Sequence, residues 1–440
     1  MKKILLPLLA ALSALGPGTV CSAQEETPAK FKLYGFIRNY MVFDTREVNA
    51  GTQDLFFYMP KDVNIKAGVD RNAVPSFKML ALTTRLGVNV SGYRIGETKV
   101  GGAVEADFYC MNGSVATFRM RQAYMDLIWD NLAVGDLRLT VGQAWHPMGV
   151  DMPHITNLET GSPFNPFNRS PQIMANWTVG KFTLTGGILY PMQFLPTGPE
   201  GKSSKYNKYG MIPEAYLGVA FQSGGFLGKA GVDLFTIKPL WKAPMIVEAT
   251  NNEGELPTLD YALTITTELQ SRLFAVSPFI YLQFTSGKFQ LKAKSILAQA
   301  GEHLNLLSGY GATFDWKKMK LTYTPMQDWA SFISLQYGKK FQVFAMAGYM
   351  QRLGTTKSIF AYDNPSVDSF WLNTAADTRI QQAFRVTPTL AYNLGKLTFS
   401  LEYNCTAGFF GEGDYNRGGL YSTGHWVMNH RIEQMVKFNF

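Results

Sequence analysis

The chain has 440 residues, 41 Lys plus Arg against 33 Asp plus Glu for a formal charge of +8, 46% hydrophobic and 14% aromatic residues, and only 17% charged residues. No segment beyond the N-terminal leader approaches the ~18 to 20 continuous apolar residues of a membrane-crossing helix, so helical membrane classes are excluded and the hydrophobicity must be spread by alternation. No basic run points to nucleic acid, and three cysteines are too few for a disulfide framework.

At the N-terminus, Lys2 and Lys3 precede the apolar stretch Ile4 to Leu15, and Cys21-Ser22-Ala23 offers small residues before a cut. This reads as a secretory signal peptide over 1–23, leaving 24–440 as one domain. Val20 stands where a lipoprotein signal has Gly, Ala or Ser, which weakens a lipid-modified reading of Cys21. Cleavage removes Lys2 and Lys3 and takes the formal charge from +8 to +6. It leaves Cys110 and Cys405, expected far apart and unpaired.

A short turn then recurs: Gly180-Lys181-Phe182, Gly287-Lys288-Phe289, Gly338-Lys339-Lys340-Phe341 and Gly395-Lys396-Leu397. Each sits between two alternating segments. Gly supplies the positive backbone dihedral of a tight hairpin and Lys is at ease in water, so the pattern predicts an up-and-down meander. Counting outward gives strands near Lys32–Phe43, Lys78–Ser91, Lys99–Tyr109, Thr117–Trp129, Leu137–Trp145, Ile173–Val179, Phe182–Tyr190, Met211–Phe221 and Leu227–Ile237. Seven more follow near Tyr261–Phe284, Phe289–Gln299, Trp329–Tyr337, Phe341–Met350, Ile380–Tyr392, Leu397–Asn404 and His425–Phe440. That is sixteen. Tyr261–Phe284 is too long for one membrane strand of ~9 to 11 residues, and a further hairpin inside it would give eighteen.

The final segment is the clearest single feature. Ile432, Val436, Phe438 and Phe440 share one parity, while Arg431, Glu433, Lys437 and Asn439 share the other. An edge strand of a secreted sandwich is the competing reading. Alternation of this kind, ending on a free aromatic, fits an all-β transmembrane antiparallel barrel with lipid outside and water inside, short periplasmic turns and long extracellular loops. Sixteen to eighteen strands enclose an aqueous channel rather than a packed core.

A charge on the lipid face near the bilayer midplane costs about 2 to 4 kcal/mol, so mid-strand charges should turn inward. On that argument Arg38, Arg85, Arg119, Arg121, Arg385 and Arg431 are pore-lining candidates, with the acids Glu105, Asp107, Glu402 and Glu433. Structural ion pairs along the wall are an equally open reading of each. The proline-rich segment 146–171 is by count the third extracellular loop and the candidate constriction; it carries His146, Asp151, His154, Glu159 and Arg169. An external cap or an intersubunit latch is the alternative. In the long loop Asp44–Pro75, the apolar run Asp54-Leu55-Phe56-Phe57-Tyr58 must pack somewhere, a neighbouring subunit being one choice.

Tyr34-Gly35-Phe36-Ile37-Arg38, Arg119-Met120-Arg121-Gln122-Ala123-Tyr124 and Val141-Gly142-Gln143-Ala144-Trp145 resemble the DcaP-like family of outer-membrane porins. The resemblance implies a sixteen-stranded homotrimeric barrel in the bacterial outer membrane that passes small, often anionic, hydrophilic solutes, with Arg119 and Arg121 best fitting the family's inward basic residues. This chain departs from some members in having only Gln24 to Lys30 before the first strand, so a trimer could not rest on a coiled coil.

The expected function is therefore passive diffusion, with no enzyme activity, no cofactor and no metal, since no histidine or cysteine pair has ligand spacing. Two alternatives stay open. Asn165-Pro166-Phe167 and the aromatic content suggest a channel for hydrophobic substrates. An outer-membrane phospholipase or protease would have to draw on His146, His154, His303, His425 or His430, none of which sits in a motif tying it to a nucleophile.

Overall fold

The computed structural model describes residues 29–51, 55–109, 116–157, 161–239, 245–246, 264–265, 271–315, 320–359 and 370–440. The leader 1–23, Cys110 and Glu159 lie outside the described residues.

Alternation dictates a single closed sheet of sixteen antiparallel strands. They are β1 (Lys30–Asp44), β2 in two pieces (Ser76–Leu80 and Arg85–Ile95), β3 (Thr98–Tyr109), β4 (Thr117–Trp129), β5 (Asp136–Trp145), β6 (Arg169–Val179), β7 (Phe182–Leu189) and β8 (Glu214–Ser223). The second half comprises β9 (Phe226–Ile237), β10 (Leu273–Ser286), β11 (Phe289–Gln299), β12 (Lys320–Gly338), β13 (Phe341–Thr355), β14 (Ile380–Leu394), β15 (Leu397–Tyr415) and β16 (Tyr421–Asn439). Each strand pairs with its neighbour in sequence, and β1 closes the barrel on β16 from Phe36 opposite Asn439 to Asp44 opposite Arg431. The Phe440 backbone completes the seam by exchanging hydrogen bonds with Gly35 at 3.1 and 3.3 Å.

The barrel strand within Tyr261–Phe284 is only Leu273–Ser286, and Thr264–Ile265 pairs with Met245–Ile246 outside the barrel order. Sixteen is thus the count among the described residues, which hold no additional barrel hairpin in this segment. β2 is broken at 81–84, where Thr83 takes a positive φ of 65°.

All seven short turns lie at the end where β1 begins and β16 finishes, and Gly180, Gly287, Gly338 and Gly395 each have the positive φ that the repeated motif predicts. The other eight connections, most of them longer, gather at the opposite end. Between the ends the outward face is apolar. Ile37, Val104, Leu217, Ile280, Ile333, Leu390 and Ile432 all stand exposed. Trp177, Phe182, Phe284, Tyr337 and Phe341 ring the turn end, and Phe77, Phe274, Trp329 and Trp426 the loop end. An apolar band between two aromatic girdles is the outer surface of a membrane-spanning barrel.

Candidate functional site

The interior is polar on its walls but is not an open tube, because three loops fold into it. The third loop, 146–168, crosses the lumen. On one side Asp151 pairs with Lys229 of β9 at 2.8 Å, and Lys292 and Lys294 of β11 donate to the carbonyls of Met152 and Met148 at 3.0 and 2.8 Å. Further along, the His154 amide donates to Ser334 of β12 and the Thr156 amide to Glu402 of β15, both at 2.8 Å. Arg385 of β14 donates to the Ser162 carbonyl at 2.8 Å, and Phe164 lies over Gly348 of β13, whose hypothetical Cβ would be 2.4 Å from the ring. Contacts with β9 through β15 place the loop inside the barrel. An external cap or an intersubunit latch is thereby excluded for the described part of this loop.

The apolar run of the first loop also turns inward. Leu55 to Met59 is buried, with Phe56 edge-on to Phe167 of the third loop at 5.1 Å. Tyr58 lies between two guanidinium groups, Arg385 at 3.8 Å and Arg431 at 3.9 Å from its ring centre, and donates to Asn404 Oδ1 at 2.9 Å. Of the places left open for this run, the interior of its own barrel is the one observed. The driving force is the same: four large apolar side chains leave water, here within one chain. Residues of the sixth loop, Leu304, Leu306 and Leu307, complete an apolar plug with Phe57, Met148 and Phe164.

Every predicted inward arginine does face the interior, but they differ in access. Arg385 and Arg431 are fully covered, both by the Tyr58 ring; Arg431 also grips Asp44 across the seam through two bonds of 2.8 Å. Neither is exposed while the first loop is docked. Arg121 is likewise buried, bonded to Glu105 and to Asp107 at 2.7 Å each, and Arg119 joins Asp107 at 2.8 Å. Arg85 meets Glu105 at 3.5 Å and is partly exposed. Arg38 is buried and donates to Thr83 Oγ1 at 2.6 Å. Arg169 belongs to β6 rather than to the loop and is buried beside Trp145 and Phe167, so it does not form the narrow point.

Two basic groups result. On β1 to β4 and β16, Arg85, Arg119 and Arg121 pair with the two carboxylates Glu105 and Asp107, and two further cations, Arg38 and Lys437, lie beside Arg85 over the Phe36 ring. Across the barrel, Lys229, Lys292 and Lys294 surround the single carboxylate Asp151. The lysines were missed in the sequence, although the midplane argument that selected the arginines applies equally to mid-strand lysines. His154 stands beside the second group. Burial, reinforced by the positive charge of Lys292, pushes its imidazole down to about 4, so it is neutral at pH 7.

A vestibule of about 470 Å³ opens toward the turn end. It is walled by Gln122, Tyr124, Arg138, Thr140, Asn176, Thr185, Gln222 and Lys229, and floored by Trp145 and Pro147 where the third loop begins.

No family model and no curated protein matches the chain. Among solved structures, the outer membrane channel DcaP of Acinetobacter baumannii superposes with a TM-score of 0.64 at 16% identity, covering 96% of this chain and 99% of that one. The outer-membrane expressed OmpT of Vibrio cholerae gives 0.51 at 13% identity, covering 96% and 100%. An anion-selective porin from Comamonas acidovorans gives 0.50 at 9% identity, covering 94% and 100%. The fold is therefore that of outer-membrane channel barrels over 94 to 96% of the chain. It is the fold that the Tyr34–Arg38, Arg119–Tyr124 and Val141–Trp145 resemblance implies.

Proposed function

We propose that this protein is a porin of the bacterial outer membrane through which small hydrophilic solutes diffuse passively, with a preference for anions. The observation that carries the reading is the combination of a lipid-facing apolar band with a polar interior whose cations outnumber its carboxylates in both groups. Eight cations facing three acids bias the local potential toward anions, and weak, distributed contacts let a solute leave as easily as it enters. The third loop supplies the narrow point. The arginines best placed to meet solute are Arg85 and Arg119, which are only partly covered, with Lys229 and Lys292 opposite. Arg121 and Asp107 act chiefly to hold that wall in shape.

The fold neighbours include a named channel and a named porin, which supports a channel rather than an enzyme. The apolar cluster within the barrel is filled by the chain's own loops, so the hydrophobic-substrate reading gains nothing from it. Assembly as a homotrimer follows from the same family resemblance, and crosslinking in native membranes would detect it.

Swelling of proteoliposomes in isotonic solutions of small dicarboxylates, neutral sugars and diamines of similar size tests the proposal. Fastest swelling in the dicarboxylate is expected; no swelling in any of them would remove the porin reading.

A further inference from the structure

Four side chains that the channel reading does not use meet inside the barrel, at the junction of the third loop, the sixth loop, β8 and β9. His146 opens the third loop, Glu214 begins β8, Asp233 lies on β9, and His303 sits in the 3-10 turn Gly301–Leu304 of the sixth loop. All four are covered from solvent. His146 Nε2 is 2.7 Å from Glu214 Oε1 and 3.6 Å from Asp233 Oδ1; His303 Nε2 is 3.1 Å from Asp233 Oδ2 and 3.8 Å from Glu214 Oε1. Among the described residues, neither carboxylate is paired with lysine or arginine.

The backbone around the rings fixes where their protons lie. His303 Nδ1 faces the Ala300 carbonyl at 3.2 Å, which only a ring N–H can satisfy, so in a neutral ring Nε2 turns a lone pair on the carboxylates. His146 Nδ1 accepts the Met148 amide at 3.1 Å, which leaves its Nε2–H to donate to Glu214. Two buried negative charges would then face one lone pair. Glu214 Oε2 and Asp233 Oδ1 have no hydrogen-bond partner. Such an arrangement is costly unless a cation or extra protons join it.

A dication resolves the charge conflict. It neutralises both carboxylates and takes up the His303 lone pair together with Asp233 Oδ2 and Glu214 Oε1, the two oxygens nearest that nitrogen. Ala300 holds the ligating ring from behind and His146 orients the Glu214 carboxylate, the two roles outer-shell groups usually play around a metal. Bonds of about 2.0 to 2.1 Å in a tetrahedral site imply ligand atoms about 3.4 Å apart, and the two His303 distances bracket that spacing. Imidazole with carboxylates and no thiolate suits a borderline divalent ion.

We propose that His303, Glu214 and Asp233, supported by His146, bind one divalent first-row transition-metal ion, zinc foremost. The ion staples the third and sixth loops to the wall of β8 and β9. Sequence spacing gave no ligand pair because the four residues come from four separate elements and 158 positions of chain.

The test uses the full-length barrel, prepared without a histidine tag, stripped with chelator, re-equilibrated with Zn(II) and desalted before elemental analysis. One zinc per chain is expected in the wild type and background levels in His303→Gln and Asp233→Asn. Because either variant could fold poorly, the stripped wild type is also loaded with Co(II), which should give the visible absorption of a low-symmetry N/O site. It is likewise melted with and without Zn(II), where a higher melting temperature with Zn(II) but not Mg(II) is expected. Substoichiometric zinc in the wild type, or the same zinc content in folded variants as in the wild type, would overturn the site and leave protons as the source of charge balance.

Discussion

Replacing Tyr58 by alanine should open this barrel. The phenol ring is buried between Arg385 and Arg431 and its hydroxyl reaches Asn404. Truncating a buried aromatic costs about 3 to 5 kcal/mol, a range that here includes two desolvated cation–π contacts of about 2 kcal/mol each at most and a hydrogen bond of about 1 kcal/mol. The barrel wall itself loses little, so the cost falls on docking of the first loop. At about 1.4 kcal/mol per factor of ten, the undocked population rises by roughly two to three and a half orders of magnitude. Backbone strain pushes the same way: Phe57 holds a positive φ of 67°, unfavourable for a bulky residue by about 1 to 3 kcal/mol, and undocking releases it. With the loop out, Arg385 and Arg431 face water. Single-channel recording should therefore show a larger conductance for Tyr58→Ala and a reversal potential shifted further toward anions. Tyr58→Phe keeps the ring between the guanidinium groups and loses only the bond of about 1 kcal/mol, so it should stay close to wild type. Unchanged conductance and reversal potential in a folded Tyr58→Ala barrel would refute the view that this ring seals the first loop over the two arginines.

Other consequences follow from the same packing. Gly348→Leu places a side chain where Phe164 now lies and should displace the third loop, raising conductance without lowering barrel stability in denaturant. Arg121→Ala leaves Glu105 and Asp107 short of a buried partner and should destabilise the barrel by about 3 to 5 kcal/mol in denaturant titrations, clearly more than Arg119→Ala, whose guanidinium is partly exposed. His154 gives a pH dependence. Its imidazole, held down near 4 when docked and near the ordinary 6.5 when the loop is free, binds its proton better in the undocked state. Docking is then fully favoured above about 6.5 and weakens as pH falls toward 4. Conductance should rise over that window, and His154→Asn should flatten the rise.

The fold was largely legible because period-2 alternation and the Gly-Lys turns are local signals. Each of the sixteen expected segments contains a barrel strand, although the tenth begins only at Leu273 and the second is broken at 81–84, and the Arg431/Ile432 parity of the last strand is the parity observed. Element lengths were less readable: β12 and β15 each run to 19 residues, because strands extend past the membrane where alternation weakens but pairing continues. The inward direction of the arginines was also legible, since it follows from the cost of charge in lipid. Their burial was not. Tyr58 over Arg385, or Thr156 on Glu402, joins residues hundreds of positions apart through loops whose paths have no periodic signature. The His146, Glu214, Asp233 and His303 cluster was hidden for the same reason.

The central claim is an anion-preferring channel, and the most direct measurement is planar-bilayer recording of the purified protein under a salt gradient. Discrete conductance steps with a reversal potential of anionic sign, moved toward zero when Arg85 and Lys229 are both replaced by glutamine, are the predicted result. A folded barrel that conducts no ions, or one whose reversal potential has cationic sign, would contradict it.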